Sequence, residues 1–200
     1  ADYVLLLDSR ITSLSEDLVE QLMGYVQRKD VAMAAARTSN LEDKIYHAFL
    51  VMGIDKSFGY AFHQLDKGNN GYFMRINAPQ DVSGVDITCT LIRRADYMAA
   101  GQLDESMPAE YAAADLCLKV AQLNDEGSRD SRADEGEDAK TPQMWRDMHK
   151  IVYVPYAEAV INASVEPKWH IDEEDEKFNK KWSSVLRQTD RYYNRNLTKR

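Results

Sequence analysis

Apolar positions in the amino-terminal third recur with a helical period. Leu18, Leu22 and Val26 are spaced four residues apart, and they follow Ser13 and Glu16, which have the spacing of a capping box. In that motif the hydroxyl and the carboxylate each satisfy a free backbone N–H of the first helical turn. The pattern predicts a helix of about 15 residues.

The same capping spacing recurs at Ser39 and Glu42. Apolar residues that would cover most faces of a helix follow it, namely Ile45, Ala48, Phe49, Leu50, Val51 and Met52. Gly53 stands where a C-cap glycine would end such a helix. We therefore expect a second, largely buried helix here, and a further helical segment in the alanine-rich residues 31–37.

The period then changes from about 3.6 to two. Apolar residues alternate in two runs, Phe58, Tyr60 and Phe62, then Tyr72, Met74 and Ile76. Six turn-forming residues, 66–71, lie between the runs, so the pattern predicts a β-hairpin. Residues 66–77 also open like a calcium loop, but Gly68 and Asn77 stand where two of its ligands are needed.

One further strand is predicted after this hairpin. Four apolar residues, Val85, Ile87, Cys89 and Leu91, alternate with polar ones, which is typical of a strand with one buried face. With the hairpin it predicts a small antiparallel sheet of three strands. After Pro108 the alanine-rich run, with Tyr111 and Leu118 on one face, predicts a return to helix.

The remaining third divides into a charged segment and a carboxy-terminal region. Residues 124–141 hold ten charged residues in eighteen and no large apolar side chain, which predicts an acidic mobile loop. Pro142, Trp145, Met148 and Val152 then predict a helix, with a strand over residues 151–154 as the alternative. The expected organisation is a core of residues 1–123, the loop 124–141 and a helical region of residues 142–200.

The last predicted element is a long amphipathic helix. Ile171, Phe178, Val185 and Tyr192 recur every seven residues, which predicts a helix from near Asp172 to near Asn194. The expected fold class is therefore α+β, predominantly helical, with a small antiparallel sheet and this helix at the carboxy terminus.

Charge is distributed unevenly along the chain. The net charge is −8, yet residues 177–200 contain eight Lys or Arg and one Asp, so they carry +7 and the rest carries −15. Basic and aromatic residues near the end form a candidate partner-binding segment, consisting of Arg187, Arg191, Tyr192, Tyr193, Arg195, Lys199 and Arg200. Such a segment docks on an acidic protein surface, including a neighbouring copy, or on phosphates. The pI near 5.1 makes nucleic acid a secondary ligand.

Residue types that carry chemistry are few and scattered. Cys89 and Cys117 are expected as free thiols, and the four histidines, His47, His63, His149 and His170, lack the spacing of metal ligands. No catalytic or nucleotide motif occurs, so we expect no cofactor, no metal and no catalytic residue. No apolar run approaches the roughly 20 residues of a membrane span, which predicts a soluble protein without membrane contact.

The layout of these elements resembles that of the head-to-tail adaptor (neck) proteins of short-tailed bacteriophages. Residues Met107 to Tyr111, which open the alanine-rich helix, match the point where such adaptors re-enter their helical bundle. In that family the helices pack together, a small β-excursion projects, and a carboxy-terminal segment docks on the portal or a neighbouring subunit. The resemblance implies a non-enzymatic virion protein that forms a ring and contacts other structural proteins.

Two alternatives belong to other functional classes. The first is a regulatory protein, cytoplasmic rather than virion-borne, that binds an acidic partner or nucleic acid through the basic segment. The second is a small enzyme with a pocket near His47, which requires that histidine to face a cavity.

Overall fold

The computed structural model describes residues 1–54, 57–123, 149–164, 170–188 and 190–194. A seven-stranded mixed sheet dominates it, formed by β1 (Tyr3–Leu7), β2 (Ile11–Leu14), β3 (Val31–Asn40), β4 (Ile45–His47), β7 (Gln80–Val82), β8 (Cys89–Arg93) and β9 (Lys150–Ile161). A separate hairpin consists of β5 (Phe49–Met52) and β6 (Phe58–Ala61). The described helices are α1 (Leu18–Val26), α2 (Arg94–Ala99), α3 (Ala109–Ala121), α4 (Asp172–Lys181), α5 (Ser183–Leu186) and the 3₁₀ helix Tyr72–Asn77.

The strand order is β1-β8-β3-β9-β2, with β4 beside β3 and β7 beside β9. Within this sheet β3 and β9 run parallel, and the other pairs are antiparallel. Strands β8, β3 and β9 each have neighbours on both sides, and β3 and β9 are the two longest strands of the sheet. Their apolar residues are accordingly buried on both faces.

The sheet separates two hydrophobic clusters. Helix α1 packs on one face, where Leu18, Leu22 and Val26 meet Ala34 and Ala36 of β3. On the other face, α3, α4 and the β5–β6 hairpin form the larger cluster. Its bulky members include Phe49, Phe58, Tyr111, Tyr153, Phe178 and Trp182. Small side chains along β3 thus allow close packing on both sides.

The expectation of a predominantly helical fold with a small sheet is wrong. The alanine-rich residues 31–37 lie in β3 instead of a helix, because pairing with β8 and β9 and burial on both faces override helix propensity. The helix expected over Ile45–Met52 is replaced by β4 and β5. Asn40 accepts hydrogen bonds from the backbone N–H groups of Glu42 and Lys44, so it forms a turn where a capping box was expected.

The expected hairpin is also wrong. Strand β6 pairs with β5 rather than with residues 72–76, which form the 3₁₀ helix. The residues at Val85–Thr88 are irregular, and only Cys89–Arg93 forms a strand, β8, buried on both faces along most of its length. The side chain of Asp86 accepts a hydrogen bond from the Thr88 N–H, which turns the chain before β8 begins.

Three helix predictions have mixed outcomes. The first predicted helix is confirmed over Leu18–Val26, but it has nine residues rather than about 15. The capping box predicted at Ser13 is wrong, because Ser13 lies in β2 and the helix has no side-chain cap. The alanine-rich helix is confirmed as α3. The carboxy-terminal helix begins at Asp172 as expected, but it is interrupted at Trp182 and ends at Leu186 rather than near Asn194.

Residues 151–154 belong to β9, so the strand alternative is confirmed and the helix prediction there is wrong. Pro155 lies within β9 where the pairing with β3 shifts register between Val154 and Glu158, a bulge in which the missing N–H of proline is tolerated. The loop predicted over residues 124–141, together with Pro142, Trp145 and Met148, lies outside the described residues.

Candidate functional site

A cleft of about 200 Å³ opens at the carboxyl end of β1, beside β4 and the amino-terminal ends of β8 and α3. Its polar lining consists of Asp8, Arg10, Tyr46, His47, Asp86, Thr88 and Glu110. Apolar walls come from Leu6, Leu7, Ile87 and Leu103. A concave site with a few convergent polar groups and apolar walls is the usual form of a small-molecule site.

Asp8 and Arg10 form a rigid pair at the turn between β1 and β2. The guanidinium donates through Nε at 3.0 Å and Nη2 at 2.7 Å to the two carboxylate oxygens, and the backbone N–H of Arg10 adds a third bond. These bonds to Arg10 hold the pKa of Asp8 below its usual value. The charge of Arg10 is therefore neutralised locally, and its side chain is held in one orientation.

Asp86 is a buried hydrogen-bond acceptor at the centre of the site. Its Oδ1 accepts from the backbone N–H and the hydroxyl of Thr88, and its Oδ2 accepts from the Tyr60 hydroxyl at 3.0 Å. Burial, followed by the charges of Asp86 and Glu110, raises the pKa of Tyr60 well above its usual value, so this phenol stays a donor. Asp86 is thereby fixed in place.

His47 lies next to this carboxylate, with its Nε2 3.6 Å from Asp86 Oδ2. The residue is only 8 % exposed, and burial lowers the pKa of its imidazole to about 4. It is thus neutral at pH 7. Asp86 favours the tautomer with the proton on Nε2, so Nδ1 carries a lone pair, and Nδ1 has no hydrogen-bond partner in the described part of the chain.

A second histidine supports the first. His63 stacks on His47 with ring centroids 6.3 Å apart, and its Nδ1 donates to the Tyr46 carbonyl at 2.8 Å. Burial lowers the pKa of His63, so both rings are neutral at pH 7. The rings of Tyr46 and Tyr60 enclose His47 from other directions, with centroids at 4.2 and 4.4 Å. His47 is therefore held in place by ring packing as well as by Asp86.

Glu110, in the first turn of α3, is the least constrained acid of the cleft. Within the described residues it forms no hydrogen bond and no ion pair, whereas Asp8 and Asp86 are both fully engaged. Its carboxylate lies in the first turn of α3, near the positive end of the helix dipole.

The basic segment predicted from the sequence is only partly described. Arg187 and Arg191 are exposed, and the Arg191 guanidinium lies 5.6 Å from the centroid of the Tyr192 ring. The Tyr192 carbonyl accepts a hydrogen bond from Arg75, and Tyr193 packs against the larger core cluster. The predicted residues Arg195, Lys199 and Arg200 lie outside the described part of the chain.

Arg187, Arg191, Tyr192 and Tyr193, the described residues of this segment, do not line the cleft. Asp190 fixes the segment beside Met52 and Ser83. Its buried carboxylate accepts hydrogen bonds from the Met52 N–H at 2.7 Å and the Ser83 hydroxyl at 2.6 Å. Tyr192 and Tyr193 thus both make contacts within the chain.

The sequence singled out His47 but missed the residues around it. Asp8 and Arg10 directly follow the apolar run Tyr3–Leu7, which was the available signal for polar groups at a strand end. Asp86 is one of the polar residues of the predicted alternating strand, and Glu110 lies at the start of the predicted alanine-rich helix, so the local pattern marks neither as a site residue. Long-range pairing of β1 with β8 brings Asp8 and Asp86 to the same cleft, and no local pattern encodes that pairing.

No group of three or more His, Cys, Asp or Glu that could hold a metal ion occurs among the described residues. Cys89 and Cys117 are buried free thiols, as expected. None of the helices in the described ranges is both long and apolar enough to cross a bilayer.

Comparison with known proteins gives limited information. No family model and no solved structure matches the chain. It is similar to protein y4gI of Sinorhizobium fredii (strain NBRC 101917 / NGR234), described as uncharacterized, with 31% identity over 121 residues, or 60% of this chain. The chain covers only 13% of the length of that relative, so the similarity assigns neither a family nor an activity.

Proposed function

We propose that the chain binds a small hydroxyl-bearing molecule in the cleft, with neutral His47 as the acceptor for a ligand O–H. The observation that carries this proposal is the unpartnered Nδ1 of His47, a buried ring nitrogen in a residue that lines the cleft. A buried acceptor without a partner costs free energy, roughly 1–3 kcal/mol, which a ligand hydroxyl would recover. A small enzyme with a pocket near His47 is one of the alternatives that the sequence leaves open, and we keep that pocket but assign it binding instead of catalysis.

The dimensions of the cleft limit the ligand. Its volume of about 200 Å³ lies below the roughly 300–1,000 Å³ of typical ligand pockets, so the cleft is restricted to a small ligand. That is room for a molecule of monosaccharide size. Tyr46 and the leucines supply apolar surface for C–H groups, while Arg10 and Thr88 supply polar groups.

His47 is suited to accepting a hydrogen bond from a ligand hydroxyl and not to removing its proton. A general base is most effective when its pKa lies near the working pH, and the pKa of His47 is about 4. At neutral pH this ring is therefore a reliable acceptor and a weak base. The proposal is accordingly a binding function at a site whose arrangement can orient a hydroxyl group.

The virion neck hypothesis and the regulatory hypothesis stay predictions. Nothing in the comparisons links the chain to neck proteins, and the helical layout on which that resemblance depended is replaced by the seven-stranded sheet. Self-association through Arg187 and Arg191 is likewise an expectation that only a measurement of mass in solution can test.

Binding of D-glucose, measured by calorimetry, tests the proposed function. The wild-type protein should bind it with an affinity in the millimolar range, and His47→Leu should abolish the heat of binding while keeping the fold. His149→Leu is the matched control, because His149 is also buried and has an unpartnered Nδ1 but does not line the cleft. Equal binding by wild type and His47→Leu, or no binding by either, would contradict the proposal.

A further inference from the structure

The charge balance of the cleft is negative. Among the described residues, three carboxylates line it, from Asp8, Asp86 and Glu110, against the one guanidinium of Arg10. His47 adds no charge at neutral pH because its pKa is about 4. A ligand that brings a positive charge into the cleft therefore meets a favourable potential, and an anionic ligand meets an unfavourable one.

The three carboxylates differ in how far they are available to a ligand. Asp8 is held by the two nitrogens of Arg10, at 3.0 and 2.7 Å. Asp86 accepts from Thr88 and Tyr60, and the ring of His47 lies against it. Glu110 alone among them has no partner within the described residues. A cation entering the cleft would pair with Glu110 without breaking an existing bond.

Arg10 does not reverse this balance. Its guanidinium group is paired with the Asp8 carboxylate through two nitrogens, and a ligand anion would have to compete with Asp8 for that group. Among the residues that the structure describes, the only cation of the cleft is already paired with Asp8, while Glu110 and the Nδ1 atom of His47 have no partner.

Resting on the proposed function, we propose that the ligand is an amino alcohol of sugar size, whose ammonium group pairs with Glu110 and whose hydroxyl donates to Nδ1 of His47. His47, which carries the unpartnered ring nitrogen, and Glu110, which carries the unpartnered carboxylate, both line the cleft, and an amine next to hydroxyl groups satisfies both. D-glucosamine is the simplest probe of this chemistry.

The test compares four probes on the intact chain at about pH 6, where an aliphatic amine is protonated. D-glucosamine should bind at least about threefold more tightly than D-glucose, the gain expected from one partly exposed ion pair. N-acetylglucosamine, which lacks the charge, should show no such gain, and glucose 6-phosphate should bind most weakly. Tightest binding by the phosphate would overturn the inference.

Variants separate this inference from the proposed function. Glu110→Gln should remove the preference for glucosamine but keep binding of glucose, while exposed Glu105→Gln, which lies outside the cleft, should behave like wild type. Equal affinities for glucosamine and glucose in wild type would overturn the amine assignment and leave the proposed function standing. Absence of binding by every probe would overturn both the amine assignment and the proposed function. An unchanged melting temperature for Glu110→Gln would show that its loss of preference for glucosamine does not come from unfolding.

Discussion

Buried carboxylates connect the carboxy-terminal residues to the rest of the fold. Asp190 accepts from Met52 and Ser83, while Asp175 in α4 accepts from Ser57 and from the Tyr111 hydroxyl. A buried carboxylate is stable only when its oxygens receive such bonds. These single residues therefore determine where α4, α5 and the segment after them lie.

Asp190→Ala should lower the free energy of unfolding by about 2–4 kcal/mol. The substitution leaves the Met52 N–H and the Ser83 hydroxyl buried without an acceptor, at a cost of roughly 1–3 kcal/mol for each group. Urea denaturation measures the difference, with exposed Glu173→Ala as the control. A loss no larger than that of the control would show that Asp190 does not anchor this segment.

Asp175 should make stability depend on acid pH. Burial alone would raise the pKa of Asp175, but hydrogen bonds from Ser57, Tyr111 and His170 outweigh it and lower the pKa below its usual value. Because the folded-state pKa is depressed, the contribution of the carboxylate is present above the unfolded value of about 3.9 and is lost as pH falls through the folded value.

The comparison of wild type with Asp175→Asn measures this contribution. Their difference in unfolding free energy should be constant above about pH 5 and should shrink below about pH 4. Denaturant titrations from neutral to acid pH provide the curve. A difference that does not change with pH would mean that the charge of Asp175 contributes nothing.

At the scale of elements, strand pairing overrides local propensity in several places. Residues 31–37 have the composition of a helix, yet β3 is the central strand, and its alternate alanines pack against α1 on one side and the α3 side on the other. A continuous apolar run of this kind fits a buried helix and a doubly buried strand equally well. Helices α1 and α3 were predictable because their apolar period is maintained over several turns.

Trp182, the residue at which the last helix is interrupted, is anchored to α3. Its indole N–H donates to Asp115 at 2.9 Å, and its ring is 7 % exposed. Trp182→Ala should therefore cost about 3–5 kcal/mol, whereas Trp182→Phe should cost less because most of the packing is kept. Thermal unfolding is the measurement, and exposed Ser184→Ala is the control. A wild-type melting temperature for Trp182→Ala would show that α4 and α5 are not part of the core.

The 3₁₀ helix contains two residues in an unfavourable backbone conformation. Phe73 and Met74 have φ values of 51° and 57°, although Phe73 is 80 % exposed and gains little from packing. Phe73→Asn should raise stability by about 0.5–1 kcal/mol, because asparagine tolerates this region. Tyr72→Asn, at a residue without positive φ, should show no such gain, and an equal gain in both variants would contradict the explanation by strain.

At the scale of the whole molecule, the candidate site is a product of topology. Its residues come from the β1–β2 turn, β4, the approach to β8 and the start of α3, which are far apart in the sequence. His47 was identifiable as a histidine among apolar residues, but its neighbour Asp86 became relevant only through the pairing of β1 with β8. The uneven charge along the chain was visible in the sequence, and the docking of Tyr192 and Tyr193 onto the fold was not.

The state of the His47 ring is the property on which the account depends most directly. Nitrogen NMR of ¹⁵N-histidine-labelled protein, recorded from acid to neutral pH with and without D-glucose, reports it. The account predicts that His47 titrates near pH 4, is protonated on Nε2 at pH 7, and shows a shifted Nδ1 resonance when glucose is added. A His47 ring that titrates near its ordinary value of about 6.5, or whose Nδ1 resonance does not respond to glucose, would contradict it.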